Sequence, residues 1–171
     1  MCCSTTAPKV RPPLGGTRCR HCSETETLAH VLGSCPHGEL LRNSRHHRIR
    51  SRIASSLAEK NWEVHEEIHC VAENGSTRRI DIIAIDKVKR IGYIIDPTVR
   101  FETSIDQPSQ IDQEKKNIYE PTANFFKSTY NLKCIAVIGL LVGCRGTIPQ
   151  SFQQFCTKFN MGNVLCKDVD L

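Results

Sequence analysis

Hydrophobic residues along this chain change period several times, and each change marks a predicted element. Ile49, Ile53 and Leu57 recur at i, i+4 and i+8, the spacing of one helix face, so residues 39–60 are predicted to be helical. Trp62, Val64, Ile68 and Cys70 then alternate with Glu63, His65, Glu67 and His69, the period of a half-exposed antiparallel strand whose Glu/His row faces solvent. Glu73-Asn74-Gly75-Ser76 carries the Asn-Gly signature of a hairpin turn. Two Ile-rich runs follow, residues 78–85 and 91–96, separated by the charged segment 86–90; both read as strands. Pro97 has no N–H to give a ladder and is expected to end regular pairing just past Asp96.

After a polar linker, residues 109–120 are predicted helical and stopped by Pro121, and a second helical segment covers 121–130. Residues 133–142 are almost purely apolar, which predicts a strand buried on both faces at the centre of a sheet. A loop at 143–149 leads to an amphipathic helix over 149–159, with Phe152, Phe155 and Phe159 on its core stripe. The order helix, strand, strand, strand, helix, strand, helix predicts an α/β fold with a mixed sheet flanked by helices. Residues 1–17, with Pro8, Pro12, Pro13, Gly15 and Gly16, read as a flexible lead-in to a chain cut from something longer, and 161–171 as a tail. Cys144, Cys156 and Cys166 show no ligand spacing and are expected to be buried or free thiols.

Composition changes the picture in two ways. The 171 residues suit one domain plus an appendage, and the net charge of +5 is unevenly placed. Residues 1–60 hold 10 Lys and Arg against 4 Asp and Glu, whereas 61–171 hold 13 against 14. A basic first third points to a polyanion, with nucleic acid ahead of an anionic membrane surface. No run approaches the roughly 18 apolar residues needed to span a bilayer. The first residues lack an apolar signal-peptide core, so the 10 cysteines are expected in a reducing compartment, where clusters bind metal more often than they form disulfides.

The first cluster fits that expectation. Cys19, Cys22, His30 and Cys35 form a C-x2-C-x7-H-x4-C pattern, in which a tight turn lets two thiolates share one ion and a short helix over 26–31 delivers His30. This predicts a closed, structural zinc knuckle over residues 18–38; His21 and His37 are the alternative ligands. The helix behind it places Arg45, Arg48 and Arg52 at i, i+3 and i+7 beside the apolar stripe. They form either a solvated face or a phosphate-contacting ridge helped by Arg42, His46, His47 and Arg50, and the scarcity of nearby acids favours the ridge.

The second concentration of chemistry lies in the Ile-rich strands. Asp81 and Asp96 sit among residues that belong in a core, where a lone carboxylate costs several kcal/mol unless paired, protonated or metal-bound. Two carboxylates on neighbouring strands repel unless a cation lies between them, which suggests a divalent-metal site. Ile111, Lys115 and Ile118 share one helix stripe, so Lys115 is aimed where apolar residues are aimed, whereas Lys116 points elsewhere. An inward lysine either snorkels to a rim or pairs with carboxylates, here Asp81 and Asp96. Arg78 and Arg79 are placed to bind phosphates flanking such a site.

An acid on each of two adjacent strands and a lysine on the next helix resemble the PD-(D/E)xK, or restriction-like, nuclease core (αβββαβ). The ordered set of the zinc knuckle, the Asp pair, residues 96–102, 114–119 and 143–149 is similar to the C-terminal region of Pol polyproteins from non-LTR (type-1) retrotransposable elements inserting into ribosomal DNA, particularly those of insects. The resemblance implies an endonuclease domain over 39–160 behind a CCHC knuckle. It would nick a chromosomal target in the nucleus so that the freed 3′ hydroxyl primes reverse transcription. By position, Asp81 and Asp96 would hold Mg²⁺ or Mn²⁺, Lys115 would be the catalytic lysine, and Cys19, Cys22, His30 and Cys35 would hold Zn²⁺. The RNA-directed DNA polymerase would lie in the rest of the parent polyprotein. The expected partners are double-stranded ribosomal DNA, with element RNA a further candidate, and no membrane. Two positions depart from the family pattern: Ile80 stands where proline is expected, and Thr98 where the simplest pattern has lysine, so the lysine must come from the next helix. The alternative implied by the residues alone is a zinc-knuckle nucleic-acid-binding module without catalysis.

Overall fold

A computed structural model describes residues 18–162; the expectations for 1–17, for Cys166 and for the tail from 163 onward lie outside the described residues. Helix α1 (Glu39–Ala58) leads into strands β1 (Glu63–Val71), β2 (Thr77–Asp86) and β3 (Ile91–Arg100). Helices α2 (Gln107–Tyr119) and α3 (Ala123–Thr129) follow, then strand β4 (Cys134–Gly143) and helix α4 (Gln150–Lys158). The strands form one mixed sheet in the order β1-β2-β3-β4, antiparallel except for the β3–β4 pair, which is parallel. This is the α/β architecture with a flanked mixed sheet that the element order predicts. The β3–β4 crossover carries α2 and α3, as a parallel connection requires.

The β1–β2 hairpin turns at Asn74-Gly75, where Gly75 takes φ 80° and Asn74 Oδ1 accepts the Ser76 N–H at 3.1 Å. Adjacent residues of β2 feed opposite faces. Ile82 and Ala84 pack with Ile49, Ile53 and Leu57 of α1 and Phe152 and Phe155 of α4, while Ile83 and Ile85 pack with Tyr119 and Phe126. Helices therefore cover both faces. Burying a large side chain such as Phe126 or Phe152, both fully enclosed, contributes roughly 1.5–3 kcal/mol.

Two strand expectations are corrected. Strand β4 lies at the edge of the sheet, not its centre; only its second half is buried on both sides, because α2 and α4 close over it there. Pro97 does not end β3. The β2–β3 ladder stops at Ile82–Ile95, but β3 runs on to Arg100 by pairing with β4, from Asp96–Gly139 to Arg100–Gly143. The proline is tolerated because β2 has already left that side. The sheet forks here, with β2 following β1 and β3 following β4.

Helix α1 also departs from expectation. Arg50, assigned by its neighbours to an outward phosphate ridge, is buried beside Ile49. Its Nε donates to Glu66 at 2.9 Å and its Nη1 to Glu67 at 2.5 Å. Glu67 sits at φ 55°, a left-handed conformation that a non-glycine residue adopts at a cost of about 1–3 kcal/mol and that the Arg50 contact helps to hold. Breaking a buried pair costs about 3–5 kcal/mol, but the Glu66 and Glu67 side chains are 35% and 41% exposed. Arg50→Ala is therefore expected to destabilise the fold by about 2 kcal/mol, read as a lowered urea midpoint at unchanged slope.

Candidate metal and catalytic site

The knuckle is held by backbone bonds before any ion is considered. The Cys19 N–H donates to Glu24 O at 2.8 Å, closing the turn between the first two cysteines and the following residues. A widened helical turn over His30–Ser34 closes with the Cys35 N–H on His30 O at 2.7 Å. Helical residues run over 28–34, overlapping the predicted 26–31 segment, and present His30 to the thiols. The ligand atoms of Cys19, Cys22, His30 and Cys35 all lie within 4.8 Å of one another, so this Cys3His cluster can hold a zinc ion. His30 Nε2 is 3.1 Å from Cys22 Sγ, while its Nδ1 is 3.3 Å from Ser34 Oγ, the kind of outer contact that fixes a ligand's ring. The backbone N–H of His21 holds the Cys19 thiol down to about 7. His21 and His37 stack on each other at 3.7 Å and are not among the clustered ligands.

The acid pair sits at the fork of the sheet. Asp81 precedes Ile82 and Asp96 follows Ile95, the last β2–β3 pair; both are buried, and both charges act on His46 and on Tyr119. Ile80 packs on the α2 side and Ile82 on the α1 side, so the usual alternation slips at Asp81, opposite the left-handed Glu67. Each carboxylate is met by a different helix. His46 of α1 lies 3.0 Å from Asp81 Oδ2, and that hydrogen bond outweighs burial to raise the imidazole above its ordinary range. From α2, Lys115 Nζ lies 3.0 Å from Asp96 Oδ1, and the Tyr119 hydroxyl donates to Oδ2 at 2.7 Å. Burial and the Asp96 charge push the Tyr119 phenol far up, so it acts as a donor at neutral pH. Thr98, at the position where the simple pattern has lysine, donates to Asp96 Oδ1 at 3.0 Å.

The two lysines part as the helical stripe predicts: Lys115 turns inward to Asp96, while Lys116 pairs with Asp112 on its own helix at 2.6 Å. Asp81, Asp96 and Lys115 are thus brought together. A carboxylate accepts about four hydrogen bonds. Among the described residues Asp96 takes three contacts and Asp81 takes one, at Oδ2. Carboxylate oxygens are the hard donors that Mg²⁺ or Mn²⁺ takes.

The basic residues divide. Arg48 and Arg52 are exposed on α1, whereas Arg45 is half-buried and donates to Cys144 O at 2.8 Å. Arg79 is exposed and lies 3.7 Å from Glu67; Arg78 is half-buried and donates to Thr77 O. Of the helpers expected for the ridge, Arg42 donates to Cys35 O, His46 meets Asp81 and Arg50 is buried, so these turn toward the protein; His47 stays exposed. Sequence reasoning missed the roles of His46, Tyr119 and Thr98. For Tyr119 a signal existed, because it falls at i+4 from Lys115 on the same stripe.

Among the described residues no helix is long and apolar enough to cross a membrane. No family model matches the chain. Two retrovirus-related Pol polyproteins from the type-1 retrotransposable element R2 of Popillia japonica are similar to it. One is 29% identical over 136 residues, covering 76% of this chain and 27% of the relative. The other is 25% identical over 161 residues, covering 92% and 26%. The chain spans about a quarter of the length of these curated relatives. With its Cys3His cluster set ahead of a flanked mixed sheet, the chain is similar over most of its length to part of the Pol polyproteins of R2 retrotransposable elements.

Proposed function

We propose that this chain is the metal-dependent DNA endonuclease segment of a retrotransposon Pol polyprotein. It nicks chromosomal target DNA in the nucleus and leaves a 3′ hydroxyl to prime reverse transcription by the polymerase in the rest of the parent protein. Residues 39–160 form the endonuclease and 18–38 the zinc knuckle. The observation that carries this reading is the Lys115 ammonium, 3.0 Å from Asp96, in a buried site where the Asp81 and Asp96 charges both act on His46 and Tyr119.

Asp81 and Asp96 would hold the divalent cation. When bound, it lowers the pKa of water and neutralises charge developing on the phosphoryl oxygens. The remaining work falls to the chain's own groups. Tyr119 and Thr98 fix the Asp96 carboxylate, and His46 fixes Asp81. Lys115 orients the attacking water or donates to a non-bridging oxygen. Arg78 and Arg79 contact phosphates beside the scissile bond, and Arg45, Arg48 and Arg52 grip the duplex without reading sequence. Element RNA is a further partner for the same basic surface.

One observation favours a second reading. Each carboxylate already has a cationic or protonatable partner, Lys115 for Asp96 and His46 for Asp81, so the acids can be structural in a non-catalytic nucleic-acid-binding module. A nicking assay on ribosomal-DNA duplex separates the two. The endonuclease reading expects Mg²⁺- or Mn²⁺-dependent nicks that Asp81→Ala abolishes while salt-sensitive binding persists. The binding-module reading expects the same binding and no nicks with either metal.

A further inference from the structure

Lys115 reaches Asp96 only because α2 lies unusually close to β4, and that approach has identifiable causes. Gly139 of β4 is the register partner of Asp96. A Cβ at Gly139 would fall 2.8 Å from Asp112 Cα, 2.9 Å from Ile111 O and 2.9 Å from Lys115 Cγ. Two of those atoms belong to the α2 backbone and cannot swing aside. Any side chain at this position would push the helix, with Lys115, away from the sheet. The bare position is then engaged by a side chain: Asp112 Oδ1 accepts the Gly139 N–H at 2.9 Å. The other oxygen of Asp112 is held by Lys116 Nζ at 2.6 Å.

We infer that Gly139 and Asp112 form a latch that positions Lys115 against Asp96, with Lys116 an outer support, so that the adjacent lysines divide the labour. Lys115 serves the carboxylate site, and Lys116 orients the carboxylate that pins α2 to β4. Gly139, Asp112 and Lys116 are positioning residues: Gly139 meets Asp96 only as its backbone partner in the ladder, and among the contacts described neither Asp112 nor Lys116 touches Asp81 or Asp96. The consequence for nicking rests on the endonuclease reading, but the geometry of the latch does not.

The test uses the full 171-residue chain and an amine-acylating reagent, with acylation of each lysine quantified by peptide mass spectrometry. Lys115 is normalised to the exposed Lys87 and Lys89 in the same molecule. Asp112→Ala and Gly139→Ala are expected to raise Lys115 acylation about tenfold, the weight of one charge-assisted hydrogen bond. Asp112→Asn keeps a carbonyl oxygen for the Gly139 N–H and is expected to stay within about threefold of the wild type, as is Lys116→Gln. In nicking, Asp112→Ala should slow the rate about 10–100-fold with duplex affinity unchanged, and Asp112→Asn should recover most of it. Unchanged Lys115 acylation in Asp112→Ala overturns the latch, and so does equal acylation in Asp112→Ala and Asp112→Asn. If Gly139→Ala fails to fold, the Asp112 pair decides alone. If the wild type never nicks, the endonuclease reading falls, while acylation still decides whether the latch exists.

Discussion

Asp96→Asn is expected to lower metal-dependent nicking about 10³-fold or more while leaving duplex binding within about twofold of the wild type. The substitution keeps the shape of the side chain and one carbonyl oxygen, which can accept from either Tyr119 or Thr98, since these donate to different oxygens of Asp96. It removes the negative charge that faces Lys115 and that would hold the cation. Two effects compete in such a variant, and their sizes separate them. Leaving the mostly buried Lys115 ammonium without its counter-charge costs about 1–3 kcal/mol of folding stability. A domain with about 5–15 kcal/mol in hand stays folded after that loss, so unfolding cannot produce a 10³-fold drop, which corresponds to about 4 kcal/mol in the barrier. The arginines proposed to contact phosphate are untouched, so binding and its salt dependence should persist. Single-turnover nicking at saturating duplex, beside a binding isotherm and a thermal melt, measures all three quantities. Equal nicking by wild type and variant would show that the carboxylate is structural.

Removing zinc is expected to unfold residues 18–38 and leave the sheet intact. Only Cys19 and Cys35 are buried in that stretch, while Leu28 and Val31 are 46% and 41% exposed. A segment with so small an apolar core must draw its stability from elsewhere. A structural zinc supplies about 10–16 kcal/mol in comparable small knuckles, far more than its few backbone bonds. Wild-type chain should bind one zinc through Cys19, Cys22, His30 and Cys35, and Cys22→Ala should lose it. Chelation should then open 18–38 to proteolysis, while the far-ultraviolet spectrum and unfolding midpoint of the remainder change little. Identical protection of 18–38 with and without zinc would contradict this.

How far the chain announced its own structure varies by element, for physical reasons. The Ile-rich strands, the Asn-Gly hairpin and the C-x2-C…H…C spacing are local signals, and the structure places all of them as read. Lys115 was legible because a helix has a fixed period and a charged residue on its apolar stripe must meet a counter-charge. What stayed hidden depends on contacts distant in sequence. His46 meets Asp81 across 35 positions, and nothing in the periodicity of α1 distinguishes it from His47. Arg50 looks like its basic neighbours until β1 brings Glu66 and Glu67 beside it. The apolar run of β4 signals burial but not rank in the sheet, because two covering helices make an edge strand as hydrophobic as a central one. Pro97 forbids a bond on one side only, and sequence does not show that its partner on that side has already diverged.

The proposed endonuclease requires that Asp81 and Asp96 together bind a divalent cation. Titration of Mn²⁺ into zinc-loaded chain, followed by electron paramagnetic resonance of the free ion, measures this without relying on activity. One Mn²⁺ site per chain is expected in the wild type, displaced by Mg²⁺ and lost in both Asp81→Ala and Asp96→Ala. A wild type that binds no Mn²⁺, or binds it equally well without either carboxylate, would contradict it.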